Sequence, residues 1–236
     1  MKTNEREKQI LELLQEQRFA SVTDLAAALY TSPSSIRRDL THMQSAGLVR
    51  RNYGGVVLCD REHTPTPASV RLEENKATKK QIARKASAFL HDNMTVFLDG
   101  STTVSYMAEY FAEFQNITVF TNNLRTASQL IERSVDTYCI GGRSVLQSHV
   151  MGGSYAEDMI RNLHADIVFF SSFALSDDGV ISDCTMEENA LRKLMLARSD
   201  CRVFLCDSSK FHRFSTHRLC SVDEIEHCVF DQPPKP

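Results

Sequence analysis

The stretch Ser21-Val-Thr-Asp-Leu-Ala-Ala-Ala-Leu-Tyr-Thr-Ser-Pro-Ser-Ser-Ile-Arg-Arg-Asp-Leu40 narrows the folding options of this chain more than any other segment. It reads as two short helices joined by a tight turn. Ser32 is placed to cap the second helix, its hydroxyl accepting from an otherwise orphan backbone N–H, and Pro33 follows where a missing N–H costs nothing. Ile36, Leu40 and Met43 fall on one stripe that faces a core, and Gly47 ends the helix. On an ideal wheel Ser34, Arg38, Thr41 and Ser45 point the other way, flanked by Arg37 and His42. Small hydroxyls and arginine on the outer face of a short helix are what a DNA major groove admits. Taken alone, the segment also reads as an ordinary amphipathic hairpin of helices with a solvated polar face.

The residues that follow favour the first reading. Leu48-Val-Arg-Arg-Asn-Tyr-Gly-Gly-Val-Val57 reads as a hairpin, two β-prone runs about a Gly-Gly turn. Arg50, Arg51 and Asn52 at its base suit phosphates beside the groove. An opening helix over 3–17, with Ile10, Leu11, Leu13 and Leu14 as its apolar stripe, completes a winged helix-turn-helix that closes near Leu58. The candidate contacts to a double-stranded DNA operator are Ser32, Ser34, Ser35, Arg37, Arg38, Thr41, His42, Arg50, Arg51, Asn52 and Tyr53. Of these, Arg38, Ser34 and His42 are expected on base edges, and Arg37, Arg50 and Arg51 on phosphates.

A chain of 236 residues has room for two domains. Its formal net charge of −3 by itself argues against a nucleic-acid protein. Residues 1–58, however, carry eight basic against six acidic side chains, a balance of +2 that leaves −5 for the remainder. So small a surplus implies two or more heads on one DNA, hence a homo-oligomer, dimer or tetramer. Seven scattered cysteines with no paired spacing favour reduced thiols in a cytoplasm. No metal signature is present, so neither structural zinc nor a cofactor is expected. The charged start does not resemble an export signal, and no apolar run is long enough for a bilayer.

Residues 59–75, with Pro65 and Pro67, read as a linker. From Lys76 to the end at 236 the pattern changes to β-rich runs (95–98, 117–120, 137–140, 167–170 and 203–206) with helices between most of them (78–91, 102–114, 124–133, 155–163 and 187–199). Such alternation predicts a mostly parallel sheet covered by helices on both faces. Ligands of open parallel sheets bind at the carboxyl ends of strands. The runs lead there into Asp99-Gly-Ser-Thr-Thr103, Thr121-Asn-Asn123, Gly141-Gly142, Ser171 through Asp177-Asp178-Gly179, and Asp207-Ser-Ser-Lys210, which predicts one shared pocket. In Asp99-Gly100-Ser101-Thr102-Thr103, backbone N–H groups and three hydroxyls at a helix start suit a phosphate or another compact anion. A well-capped turn without a ligand fits the same residues. Lys210 either neutralises that anion or is a solvated loop lysine, and Glu187 and Glu188 at a helix start are also explained by the helix dipole.

The ordered set of blocks resembles the DeoR family of bacterial transcription regulators over nearly the whole chain. Ser-Ile-Arg-Arg-Asp-Leu40 and Arg-Asn-Tyr-Gly-Gly55 are similar to that family's DNA-binding head. Arg71, Asn75, Lys76 and Ile82-Ala83 are similar to its linker and first helix. The loops at Asp99, Thr121 and Gly141, then Gly152, Asp178-Gly179, Glu188 and Asp207-Ser-Ser-Lys-Phe211, match its sensor blocks. The resemblance implies an N-terminal winged helix-turn-helix followed by a mostly parallel α/β sensor domain similar to sugar-phosphate isomerases. It implies a repressor of a carbohydrate-metabolism operon, controlled by a phosphorylated sugar bound without turnover. In that light Gly100 to Thr103 would hold the phosphate or acid group, with Thr121, Asn122, Asn123, Gly141 and Gly142 lining the site. Asp178, Glu188 and Lys210 would contact the sugar or the anion. Phe173 and His212 depart from the family pattern. Two other readings stay open: an isomerase carrying a DNA-binding head, and a regulator that answers to protein contact rather than a small molecule.

Overall fold

A computed structural model of the chain describes residues 3–17, 19–45, 48–52, 55–58, 68–145 and 149–233. It divides into two units, Met1–Val70 and Arg71–Pro236. Among the described residues no helix is long and apolar enough to cross a membrane.

The first unit runs α1 (Thr3–Gln17), β1 (Phe19–Ala20), α2 (Val22–Ala28), α3 (Pro33–Ser45), β2 (Val49–Asn52) and β3 (Gly55–Leu58). The apolar stripes read from the sequence converge here. Ile10 and Leu14 of α1, Leu25 of α2, Ile36, Leu40 and Met43 of α3, and Val49 and Val56 of the sheet are all buried. Ser21 opens α2 with a reciprocal cap: its hydroxyl accepts from Asp24 N at 3.1 Å, and the Asp24 carboxylate accepts from Ser21 N at 3.1 Å. The strands form an antiparallel wing in the order β1-β3-β2, with Arg50 opposite Val57 and Arg51 opposite Val56. Gly47, Tyr53, Gly54 and residues 59–67 lie outside the described residues.

The second unit contains α5 (Lys76–Ala86), which follows a short helix α4 (Ala68–Glu73). The linker expectation did not include that helix. Its prolines stop at Pro67, and Leu72 packs on the core beyond while its carbonyl accepts from the Tyr106 hydroxyl at 2.7 Å. Next come β4 (Thr95–Leu98), α6 (Thr102–Ser105), β5 (Thr118–Thr121), α7 (Leu124–Ile131), β6 (Asp136–Cys139), β7 (Arg143–Ser144) and β8 (Met151–Gly152). The chain continues through α8 (Ser154–Arg161), β9 (Ala165–Phe170), β10 (Ala174–Leu175), β11 (Val180–Asp183), α9 (Met186–Ala197), β12 (Ser199–Cys206), β13 (His217–Ser221) and β14 (His227–Phe230). Six strands make one parallel sheet in the order β14-β12-β9-β4-β5-β6. Strand alternation sorts its side chains into two cores. Val96, Leu98, Ile167, Phe169, Val203 and Leu205 enter the core with α5, whereas Phe97, Val168, Phe170 and Phe204 enter the one with α8 and α9.

The helix expected over 102–114 is replaced by the four-residue α6 and 3-10 turns at Tyr106–Glu109 and Phe111–Glu113. Residues 102–108 are buried without a break, leaving that stretch no solvated face. Strand β14 and the antiparallel β10-β11-β13 sheet extend the expected layout.

Strand order places the site. From β4 the chain adds β5 and β6 on one side, then returns to place β9, β12 and β14 on the other. The seam between β4 and β9 is therefore a topological switch point, where the crevice outside the strand ends opens.

Candidate functional site

Asp99 ends β4 at that seam. Its Oδ1 accepts from Ser101 N at 3.0 Å, and its Oδ2 accepts from Ser171 N, just past β9, at 3.3 Å. Arg192 of α9 donates from Nε to Asp99 Oδ2 at 2.8 Å and from Nη1 to Asp183 Oδ2 at 3.0 Å. Glu188, one turn earlier on α9, lies 3.8 Å from Nη2. Arg192 is buried, which works against its charge, but Asp99, Asp183 and Glu188 outweigh that and hold its pKa above the usual value. The Glu188 pKa is raised as well: burial first, then the Asp183 charge, lift it against the pull of Arg192.

A narrow cavity of about 10 Å³, room for roughly one water, is lined by Asp99, Gly100, Asn122, Val150, Glu188, Leu191, Arg192 and Met195. Asn122 donates from Nδ2 to the Met151 carbonyl at 2.8 Å, and its Oδ1 is buried with no partner. Gly100 is required by a close approach: a Cβ there would stand 2.6 Å from Val150 Cγ1.

The remaining loop residues are divided. Ser101 accepts from Val104 N at 3.3 Å and caps α6. Thr102 Oγ1 accepts from Lys79 Nζ at 3.4 Å, whereas the Thr103 hydroxyl is buried and unpartnered. Thr121 accepts from Asn123 N at 3.2 Å, and Asn123 caps α7 while donating to the Gly100 carbonyl at 3.0 Å. Lys210 donates to Ser171 Oγ at 2.9 Å, which links the β12 loop to the Asp99 seam. Gly141 and Gly142 are exposed after β6. Asp178 sits exposed on the β10–β11 turn with its carboxylate held by Ser176, and it is not among the residues that line the cavity.

Sequence reading missed Arg192, Asp183 and Lys79. The Glu188–Arg192 spacing of four residues on one helix was an available signal for the first. For Lys79, one lysine among several on α5, no local signal exists.

On α3, Ser32 accepts from Ser35 N at 3.2 Å and caps the helix. Ser34, Arg37, Arg38, Thr41 and His42 are exposed. The Thr41 hydroxyl donates back to the Arg37 carbonyl at 2.8 Å. His42 Nδ1 lies 2.8 Å from Glu7 of α1, so one nitrogen of the expected base reader is engaged within the head. Asp39 is 1% exposed, and Arg6 of α1 donates to both its oxygens. Backbone positions of Arg50, Arg51 and Asn52 are set by the wing register; their side chains lie outside the described residues.

These features define a winged helix-turn-helix head joined to a switch-point α/β domain. Residues 6–62 match the DeoR-like helix-turn-helix domain, and residues 74–232 match the DeoR C terminal sensor domain. The chain belongs to the DeoR family of transcription regulators. It is 29% identical over 228 residues to the HTH-type transcriptional regulator GolR of Listeria innocua, covering 96% of this chain and 90% of that one. It is 29% identical over 233 residues to a putative aga operon transcriptional repressor of Escherichia coli O157:H7, covering 98% and 87%. Identity to the L-fucose operon activator of Haemophilus influenzae is 30% over 230 residues, covering 97% and 92%. Among solved structures, translation initiation factor eIF-2B of Pyrococcus horikoshii is similar in fold, with a TM-score of 0.50 at 10% identity over 95% of this chain and 82% of that one. Ribose 5-phosphate isomerase A of Methanocaldococcus jannaschii aligns with a TM-score of 0.43 at 13% identity over 58% and 55%.

Proposed function

We propose that this protein represses a carbohydrate-metabolism operon and that a phosphorylated sugar, bound at the β4–β9 seam, changes its affinity for DNA. The observation that carries the reading is the polar groups gathered at the β4–β9 switch point, where a narrow cavity opens beside Asp99. It offers an unfilled acceptor in Asn122 Oδ1, which suits a hydroxyl of a sugar, beside the Glu188 carboxyl that pairs with Arg192. Lys210 reaches the same seam through Ser171. On the head, Arg38 and Ser34 are assigned to base edges, and Arg37, Arg50, Arg51, Asn52 and Tyr53 to the backbone. Two or more heads on one operator supply the affinity that one weakly basic head lacks. The relatives named above include both a repressor and an activator, and the sign assigned here is repression.

Binding without turnover is supported by how the groups an isomerase would need are engaged. Glu188 is tied into the Arg192 cluster, and Asp178 lies on an exposed turn. Coupling is reciprocal: a ligand that prefers one arrangement of the protein changes DNA affinity by the factor by which DNA changes ligand affinity. The test is fluorescence anisotropy of labelled DNA from upstream of the gene, titrated with protein alone and with a panel of sugar phosphates. Release by one member of the panel is expected. Specific binding indifferent to every member overturns the assigned effector class.

A further inference from the structure

Lys79 is a charged residue buried where the free protein gains little from it. It is 4% exposed on α5, and its ammonium donates to the Arg71 carbonyl and to Thr102 Oγ1 at 3.4 Å. One turn earlier, Asn75 donates to Asp207 Oδ1 at 3.4 Å and to Ser209 Oγ at 3.2 Å. That pair of bonds draws the start of α5 onto the loop that carries Lys210. Two ammonium groups thus share one corner at the carboxyl ends of β4 and β12. Burial first, then the charge of Lys210, hold the Lys79 pKa down to about 8.

A third cation stands in the same corner. Arg71 adjoins Lys79, whose ammonium donates to its carbonyl. Its Nε is buried with no partner. The hydroxyl of Thr103, a residue with no exposed surface, is likewise unpartnered. Facing the cations are Asp207, 1% exposed, and the exposed Glu74. The one-turn α6 adds little dipole, so positive charge here comes from side chains. Arg71, Lys79 and Lys210 face the carboxylates of Asp207 and the exposed Glu74, so positive charge is in excess in a corner whose Lys79 is buried. A phosphate monoester, at about −1.5 to −2 at pH 7, would match such an excess. An unmatched cluster of this kind costs stability unless an anion joins it.

We propose that Lys79, Lys210 and Arg71 form the clamp for the phosphoryl group of the effector, with the Thr102 hydroxyl as a neutral partner. The inference rests on the sugar-phosphate reading of the seam and adds the residues that select the anion. It makes Lys79, rather than the start of α6, the centre of that end of the site.

The test is the thermal midpoint of the full-length protein in inorganic phosphate against chloride at equal ionic strength. Wild type, Lys79→Met and the control Lys80→Met are compared; Lys80, half-buried on α5, pairs with Glu109. Phosphate is expected to raise the midpoint of wild type and of Lys80→Met, and to lose at least tenfold in affinity for Lys79→Met. Without phosphate, Lys79→Met is expected to melt no lower than wild type, since it removes a buried charge. A phosphate response equal in Lys79→Met and wild type, or none in wild type, overturns the clamp. If Lys79→Met instead melts lower, Lys79→Arg keeps the test open: it must respond to phosphate, and failure there also overturns the clamp. A phosphate effect that needs Lys79, with no sugar phosphate altering DNA affinity, retains the clamp and removes the regulatory coupling. A sugar phosphate that releases DNA equally from Lys79→Met and wild type does the reverse.

Discussion

Arg192 Nε meets Asp99 Oδ2 at 2.8 Å, across 93 residues of sequence. The bond ties α9 to the end of β4 at the switch point, and Asp183 accepts from the same guanidinium at 3.0 Å. Arg192→Met leaves Asp99 and Asp183 buried without their cation. Breaking such a pair from one side costs about 3–5 kcal/mol. Urea unfolding of the full chain measures this, and a loss below about 1 kcal/mol would mean that water reaches these carboxylates.

Glu188 gives a pH signature. Its pKa is raised by burial and by Asp183, so the folded state favours the protonated acid. A group raised on folding contributes stability that is complete below its unfolded pKa and lost as pH climbs through the folded one. Glu188→Gln mimics the neutral form at every pH. The variant is therefore expected to be more stable than wild type at neutral pH, with the gap closing as the solution is acidified. Paired urea titrations at mildly acidic and neutral pH decide it; a gap that widens in acid contradicts the assignment.

Tyr30 occupies the turn between α2 and α3 with φ of 49° and 98% of its surface exposed. A left-handed backbone is unfavourable for a bulky side chain, and asparagine tolerates it better. Since the ring packs on nothing in the head, Tyr30→Asn is expected to raise stability by about 1 kcal/mol. Thermal denaturation of the full chain reads the gain, and a clear loss would show that the tyrosine ring supports the turn.

The head assignments separate by specificity. Arg38→Ala is expected to lose about 1–3 kcal/mol on the operator and to relax sequence preference. Arg51→Ala is expected to weaken operator and random DNA alike and to flatten the salt dependence by about one unit of slope. Anisotropy on both duplexes at several salt concentrations distinguishes them; equal losses for Arg38→Ala on both duplexes would remove it from the base-reading set.

Periodicity carried the layout. Ile36, Leu40 and Met43 recur at helical spacing and are buried as that spacing requires, and Val96, Phe97 and Leu98 alternate between the two cores as β residues do. Capping was legible too, at Ser32 and Ser101, because a cap is a bond to the next turn of the same chain. The opening of the 102–114 helix into 3-10 turns was not legible, since it depends on how completely the sheet and α5 enclose that segment.

What the sequence determined by itself was the order of elements, the faces they bury and the polar loops that end the strands. These are properties of neighbours along the chain, set by side-chain period, propensity and capping. Tertiary structure decided which charged residues meet. Arg192 finds Asp99, Lys79 stands near Lys210, and Arg6 closes on Asp39 because strand order and helix packing bring them together. The physical reason is range. A buried charge must find its partner through space, and its neighbours in sequence carry no record of which distant residue that will be.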